Sequence, residues 1–378
     1  MGDIVIIGAG FAGLEAARVF SRNKKNLGER RIIVIDAKRT FDFLPVLPDV
    51  IGGRISRSHA TVDLEAYLEG MGVAYENGEV EFLDTAAKEV RLKAGHALGY
   101  EYVLVCPGSS TNFYGNKDFQ KRALKLDTAQ DALVLQNTVL TYPEKNFVVV
   151  GAGYTGIEVA TNIARLLKKR GVKKYRIHIV ERQEDILGPL TERIKDYCRI
   201  NLCSLRIQVH TGVSIKEAGD ERLKLSSGFE ISDYLMIWAA GVETPEFVRQ
   251  LPFGKDKQGR LQVEETLRFA SGAFAAGDAA CFTRGGKPLR MAVQFSLKQG
   301  HLAAHNIIRL CRKMTTLKKY RPVDLGFLVP MANRKACGKV LFVPVWGLAG
   351  WIFHYLMCIY RSLTFSNRLG ILTDAFFK

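Results

Sequence analysis

Asp3–Phe20 reads DIVIIGAGFAGLEAARVF, and Asn146–Ala164 reads NFVVVGAGYTGIEVATNIA. Each is a short apolar run, a G-x-G-x-x-G turn and a stretch with helical spacing. The first copy carries Gly8, Gly10 and Gly13; the second carries Gly151, Gly153 and Gly156. In such a turn the first glycine permits the tight bend and the second lets the backbone approach a pyrophosphate. The third lets the helix pack close to the strand, with its first amides toward the phosphates. One such motif is weak evidence. Here each copy leads to a second apolar run ending in an acid. RIIVIDAKR puts Asp36 there, followed by Ala37 and Lys38, and RIHIVERQ puts Glu181 there. Each carboxylate is placed to bond a ribose. An acid disfavours a 2′-phosphate, so the second site is expected to prefer NADH to NADPH, with Arg182 weakening that preference. The pattern predicts an α/β fold with two Rossmann-like dinucleotide-binding domains.

A third motif assigns the two sites. GAFAAGDAACF, Gly272–Phe282, is a strand followed by Gly277-Asp278. Together these residues resemble the two-dinucleotide-binding-domain flavoproteins, the pyridine nucleotide-disulfide oxidoreductase superfamily. That family's Ala-Thr-Gly segment has a counterpart in YVLVCPGSS, where Cys106-Pro107-Gly108 departs from it, and a similar one in YLMIWAAGVETP. The resemblance implies FAD on the N-terminal unit, around Gly8, Gly10, Phe11, Ala12, Gly13, Asp36, Ala37, Lys38, Val80, Pro107, Gly108, Gly277, Asp278 and Val293. It implies NADH on the second, around Gly151, Gly153, Tyr154, Thr155, Gly156, Glu181, Ala240 and Gly241. The expected segments are 1–145 and 266–325 for the FAD domain, 146–265 for an inserted NAD domain, and 326–378 for a C-terminal module.

The electron acceptor is narrowed by cysteines. Disulfide reductases carry a redox pair near the flavin, but RTFDFLPVLPDVIGGRIS, Arg39–Ser56, has no cysteine. Seven cysteines occur with no CxxC and no metal-type grouping, so they read as thiols in a reducing compartment and no metal site is expected. Cys106 and Cys337 could approach a flavin, which keeps a sulfide:quinone oxidoreductase open. The run RMAVQFSLKQGHLAAHNI, from Arg290, instead resembles the quinone segment of type II NADH dehydrogenases, the single-subunit, non-proton-pumping NADH:quinone oxidoreductases. Gln294 and Gln299 match that pattern; Val293 and Lys298 depart from it. The resemblance implies a quinone site of Gln294, Lys298 and Gln299. The Gln294 amide could donate to a quinone carbonyl. Lys298 could bond a quinone oxygen or point to lipid phosphate, and the bland alternative is an ordinary solvated helix. The resemblance also puts Glu158 at the nicotinamide, in the first turn of its helix; plain charge stabilisation of the helix start is the alternative. Glu158, Gln294 and Lys298 are the candidate catalytic residues. His301, His305 and His354 read as structural or interfacial.

From Val340 to Tyr360 the chain has no formally charged residue. KVLFVPV reads as a strand ending at Pro344. The helix then expected is about Leu348–Leu363, roughly 24 Å long at about 1.5 Å per residue, short of a ~30 Å membrane core. A second amphipathic stretch follows, about Asn367–Phe377. Between Leu317 and Lys378 there are nine Lys/Arg and two acids. Basic residues beside aromatic-rich helices favour a segment lying in the headgroup plane. Trp346, Trp351, Phe353, Tyr355, Arg361 and Arg368 are the expected membrane contacts, and Gly350, Trp351, His354, Asn367, Arg368 and Leu369 resemble the same family's docking tail. A dimer or core helix and a true span are the alternatives. Removing the chain after Pro344 is expected to free it from membranes and spare the nucleotide sites.

The whole chain has 378 residues and a formal net charge of +16. That charge favours anionic partners: nucleotides or an acidic lipid surface. No basic tract interleaved with aromatics marks a nucleic-acid path, which disfavours that partner. A homodimer is left open, as are an NADH-responsive flavin-containing signalling protein and a different acceptor such as an iron–sulfur protein. No signal-peptide pattern is present. The expected place is the cytoplasmic side of the cell membrane, peripherally bound.

Overall fold

The computed structural model describes residues 2–378. Five helices concern the functional site: α1 (Phe11–Arg22), α2 (Tyr154–Lys169), α3 (Val293–Cys311), α4 (Gly347–Arg361) and α5 (Phe365–Phe377). The chain folds as two compact units. The first comprises Met1–Phe41, Asp63–Ser110 and Val242–Asp324; the second comprises Asp42–Val62, Thr111–Gly241 and Leu325–Lys378. This division differs from the expected segments. Residues 42–62 and 111–145 pack with the second unit, and 242–265 pack with the first. Gln136 donates to the carbonyl of Val50 at 2.7 Å, which ties 111–145 to 42–62.

The first unit is built on a six-stranded sheet. Its order is Arg268–Ala270, Ala273–Ala275, Tyr102–Val105, Ile4–Ile7, Ile32–Asp36, Ala74–Asn77. All neighbours run parallel except Arg268–Ala270 against Ala273–Ala275. Ile4, Val5 and Ile6 have no exposed surface. A central parallel strand covered on both faces needs the unbroken IVII run that the sequence supplies. Helices α1 and α3 meet backbone to backbone: a Cβ added at Gly300 would lie 2.1 Å from the carbonyl oxygen of Ala12. The glycine of the Gln299-Gly300 pair is therefore a packing requirement.

The second unit repeats the device with four parallel strands in the order Ile207–His210, Arg176–Val180, Asn146–Val150, Tyr234–Trp238. An antiparallel sheet of Gly326–Met331, Lys335–Val340 and Val343–Trp346 leads into α4 and α5. KVLFVPV is thus not one strand. It bends at Leu341, whose φ is +54°, and Pro344 lies within the third strand, opposite Lys339. That strand is an edge, where a missing N–H costs no ladder bond. Helix α4 ends at Arg361, two residues before the expected end, and α5 starts at Phe365, two before its expected start. No helix among the described residues is long and apolar enough to cross a membrane.

Candidate active site

The two glycine turns have the same geometry. Gly8 and Gly151 both take φ +104°. A Cβ on Gly8 would come within 2.3 Å of the Cys106 carbonyl oxygen, and one on Gly151 within 2.6 Å of the Ala239 carbonyl oxygen. A Cβ on Gly13 would lie 1.9 Å from the Gly8 oxygen, and one on Gly156 1.9 Å from the Gly151 oxygen. Gly10 and Gly153 are different: an added Cβ there meets nothing within 4 Å. The middle glycine therefore faces open space, where a pyrophosphate would approach. Helices α1 and α2 start on Gly10 and Gly153 with no side-chain cap, so their first amides can serve an anion.

The two acids also match. Asp36 accepts from the Ala9 amide at 2.7 Å and the Lys38 amide at 2.8 Å. Glu181 accepts from the Ala152 amide at 2.7 Å and the Gln183 amide at 2.9 Å. These bonds satisfy turn donors and fix each carboxylate, and each oxygen keeps a lone pair for a ribose hydroxyl. The residues present fit one dinucleotide at each turn. Gly108 and Gly241 close the next strands with positive φ, and the Tyr114 hydroxyl donates to the Ala240 carbonyl at 2.8 Å. Phe11 packs edge-to-face on Phe41, and Tyr154 on Phe327. Val80 packs into the first unit's core and keeps 8% of its surface exposed.

The Gly277-Asp278 segment is braced from two sides. The Gly277 amide donates to Gln299 Oε1 at 2.7 Å, and Ser109 Oγ donates to Asp278 at 3.0 Å. Burial pushes the Asp278 carboxyl up, with Ser109 and Arg260 opposing. Gln299 is thus a brace for the Gly277 turn. Gln294 is buried in the first turn of α3 and donates to Asp324 Oδ1 at 2.8 Å. Lys298, one turn further, is exposed, as are Ala37 and Lys38 in the first turn's acid segment.

A buried charged cluster in the second unit is the part the sequence reading missed. Asp49 and Arg54, both in the stretch scanned only for cysteine, are almost fully buried and form an ion pair at 3.6 Å. The Arg54 guanidinium lies over Trp351 at 5.0 Å and Tyr355 at 5.9 Å, and it donates to the Ala332 carbonyl. Trp351 and Tyr355 therefore do not face a membrane; they are buried, at 3% and 1% exposure. The outer face of α4 is instead Leu348, Phe353, Leu356 and Tyr360. Arg368 is exposed, while Arg361 and Trp346 are partly buried. Glu158 sits in the second turn of α2, not the first. It keeps some accessible surface, yet enough protein surrounds it that burial, with repulsion from Asp49, pushes its carboxyl well above the ordinary glutamate value. Its place in the second turn, beyond the unbonded amides of the helix start, weakens the charge-stabilisation alternative. His354 is buried neutral, its pKa lowered to about 4.

Cys281 and Cys358 are buried. Cys106 is buried behind the first turn, its thiol pushed up by burial. Cys337 lies 3.3 Å, sulfur to sulfur, from Cys198 in the second unit. Cys203 is exposed, and Cys311 is partly so. Among the described residues no group of three His, Cys, Asp or Glu is arranged to hold a metal.

Residues 2–304 match the pyridine nucleotide-disulphide oxidoreductase family. The chain belongs to that family. It is 28% identical, over 327 residues, to an NADH dehydrogenase-like protein of Mycobacterium tuberculosis, covering 82% of this chain and 80% of that one. It is 23% identical to the type II NADH:quinone oxidoreductase of Haemophilus influenzae, covering 90% and 87%. The structure of NDH2 from Plasmodium falciparum in complex with NADH superposes with a TM-score of 0.85 at 17% identity, covering 99% and 97%. That likeness is one of fold.

Proposed function

We propose that this flavoprotein family member is an NADH:quinone oxidoreductase of the type II kind, using FAD, non-proton-pumping and held at a membrane surface. The observation that carries the reading is the pair of glycine turns, one in each unit, each with its acid fixed by two backbone amides. The Haemophilus influenzae relative supports quinone as the acceptor. The net reaction is NADH + H⁺ + quinone → NAD⁺ + quinol. Bound flavin supplies the redox chemistry by taking two electrons from the nicotinamide and passing them on.

The chain's own residues bind and orient. Asp36 and Glu181 take ribose hydroxyls, and the amides at the starts of α1 and α2 take the pyrophosphates. Glu181 repels a 2′-phosphate and so selects NADH. Glu158, whose carboxyl burial and Asp49 push up, offers a hydrogen bond or a proton at the nicotinamide side. Gln299 holds the Gly277 turn in place. Gln294 donates to the quinone carbonyl when its amide turns from Asp324. The outer faces of α4 and α5, with Phe353, Tyr360, Phe365 and Phe377 exposed, lie in the headgroup plane of an anionic membrane.

The sulfide:quinone alternative needs thiolates at the flavin. It is disfavoured because burial keeps Cys106 protonated and Cys337 is packed against Cys198. The test is spectral. The purified protein is yellow, NADH bleaches the flavin bands, and a soluble quinone restores them. A flavin that NADH leaves oxidised, or that sulfide bleaches instead, overturns the reading.

A further inference from the structure

The first unit contains a cavity of about 350 Å³ apart from its glycine turn. Its apolar walls are Pro288, Leu289, Phe295 and Pro322. It shares Leu289, Arg290 and Phe295 with a small recess that contains Gly277, Asp278 and Gln299. One wall thus backs directly onto the flavin segment.

The rim is basic. A tight hairpin pairs Thr283–Arg284 with Lys287–Pro288 and turns through Gly285 and Gly286, both at positive φ. Its Arg284 is aimed by a 2.9 Å bond from Nη1 to the Pro322 carbonyl. Lys287, at the same rim, forms no ion pair among the described residues. The cavity's carboxylate, Asp324, is already shared. Its Oδ1 accepts from Arg290 Nη2 and from Gln294 Nε2, each at 2.8 Å. The Arg290 guanidinium also lies 5.5 Å from the Phe295 ring centre. Two cations therefore stand at the mouth uncompensated by Asp324, above flat apolar walls.

We propose that this cavity takes a small anionic aromatic molecule, a carboxylated bicyclic quinone or its quinol. The carboxylate lies between Arg284 and Lys287, and the ring lies against Pro288, Phe295 and Pro322. The volume is near the lower end of the roughly 300–1,000 Å³ of ligand pockets, which suits a bicyclic ring rather than a long isoprenoid. Charge-assisted bonds from a guanidinium and an ammonium supply the selectivity for an acid. The assignment rests on the quinone reading above and deepens it. It adds water-soluble aryl acids to the acceptors, alongside neutral lipid quinones.

The experiment uses the full chain loaded with flavin and has a binding arm that needs no turnover. 1-Hydroxy-2-naphthoate, fluorescent and redox-inert here, is titrated against the uncharged 2-naphthol. Saturable binding of the naphthoate is expected, weakened about tenfold by Lys287→Glu and by raised salt; 2-naphthol binding responds to neither. Arg284→Gln gives the same direction. In the turnover arm, the KM for 1,4-naphthoquinone-2-carboxylate rises about tenfold more in Lys287→Glu than that for 2-methyl-1,4-naphthoquinone. Equal binding of both probes, or indifference of the naphthoate to both variants, overturns the assignment. So does displacement of the naphthoate by phosphatidylglycerol vesicles, which would give the cations to lipid headgroups. Loss of NADH reduction with naphthoate binding intact would sink the quinone reading and leave the cavity standing.

Discussion

Glu158 shows what a single residue can and cannot reveal in a sequence. Its place two residues beyond the last glycine was legible, but its protonation was not. That depends first on burial by the folded chain and then on Asp49, more than a hundred positions away and invisible to any local motif. The carboxyl's raised pKa has a thermodynamic sign. The folded state binds the proton more tightly than the unfolded chain, so the associated stability is present in acid and is lost as pH rises from the ordinary glutamate range through the raised value. Glu158→Gln removes that dependence. Denaturant unfolding at pH 5 and pH 9 should show the natural protein losing more stability than the variant over this range; parallel losses would refute the raised pKa. The place of Glu181 was legible, because a strand ending in an acid after a glycine turn is a local pattern. Glu181→Ala should raise the KM for NADH roughly ten- to a hundredfold and narrow the NADH/NADPH preference, since a charge-assisted bond is worth about 1.5–3 kcal/mol. Unaltered KM values for both nucleotides would take Glu181 out of the ribose role.

At the scale of elements, both Rossmann turns were foreseen, because each follows from spacing and strand-length apolar runs, whereas the helix starting at Gln294 came only with the family resemblance. The inner face of α4 was not. Trp351 and Tyr355 look like interfacial aromatics in a one-dimensional reading, and only folding shows that they cover a buried guanidinium. Arg54 joins α4 to Asp49 and to the Ala332 carbonyl. Arg54→Met should therefore cost about 3–5 kcal/mol, since a buried carboxylate loses its partner. Adding Asp49→Asn should recover part of that loss. Thermal or denaturant unfolding of the single and double variants reads this directly, and strict additivity would argue against the pair.

Across the whole molecule, the basic excess and the apolar tail pointed to an anionic surface, but the residues named for contact were partly the wrong ones. Helical phase decides: on α4 the outward stripe is Leu348, Phe353, Leu356 and Tyr360, and on α5 it is Phe365, Leu369, Leu372 and Phe377. Cutting the chain after Pro344 is therefore a poor test, because it would also uncover Arg54 and Asp49. Phe353→Glu with Tyr360→Glu should instead weaken binding to anionic vesicles at least tenfold, for two large side chains at about 1.5–3 kcal/mol each. NADH oxidation with a water-soluble quinone should persist. Undiminished vesicle binding in a flotation assay would relocate the membrane face. The distribution of the seven sulfurs has a practical consequence of another kind. Cys203 is exposed on the second unit, Cys311 is partly covered, and Cys106, Cys198, Cys281, Cys337 and Cys358 are buried. A brief maleimide reaction on the native protein should attach one dye, at Cys203, without any cysteine being engineered away. The second unit thus carries its own optical reporter position, suited to following nucleotide arrival at its glycine turn in real time.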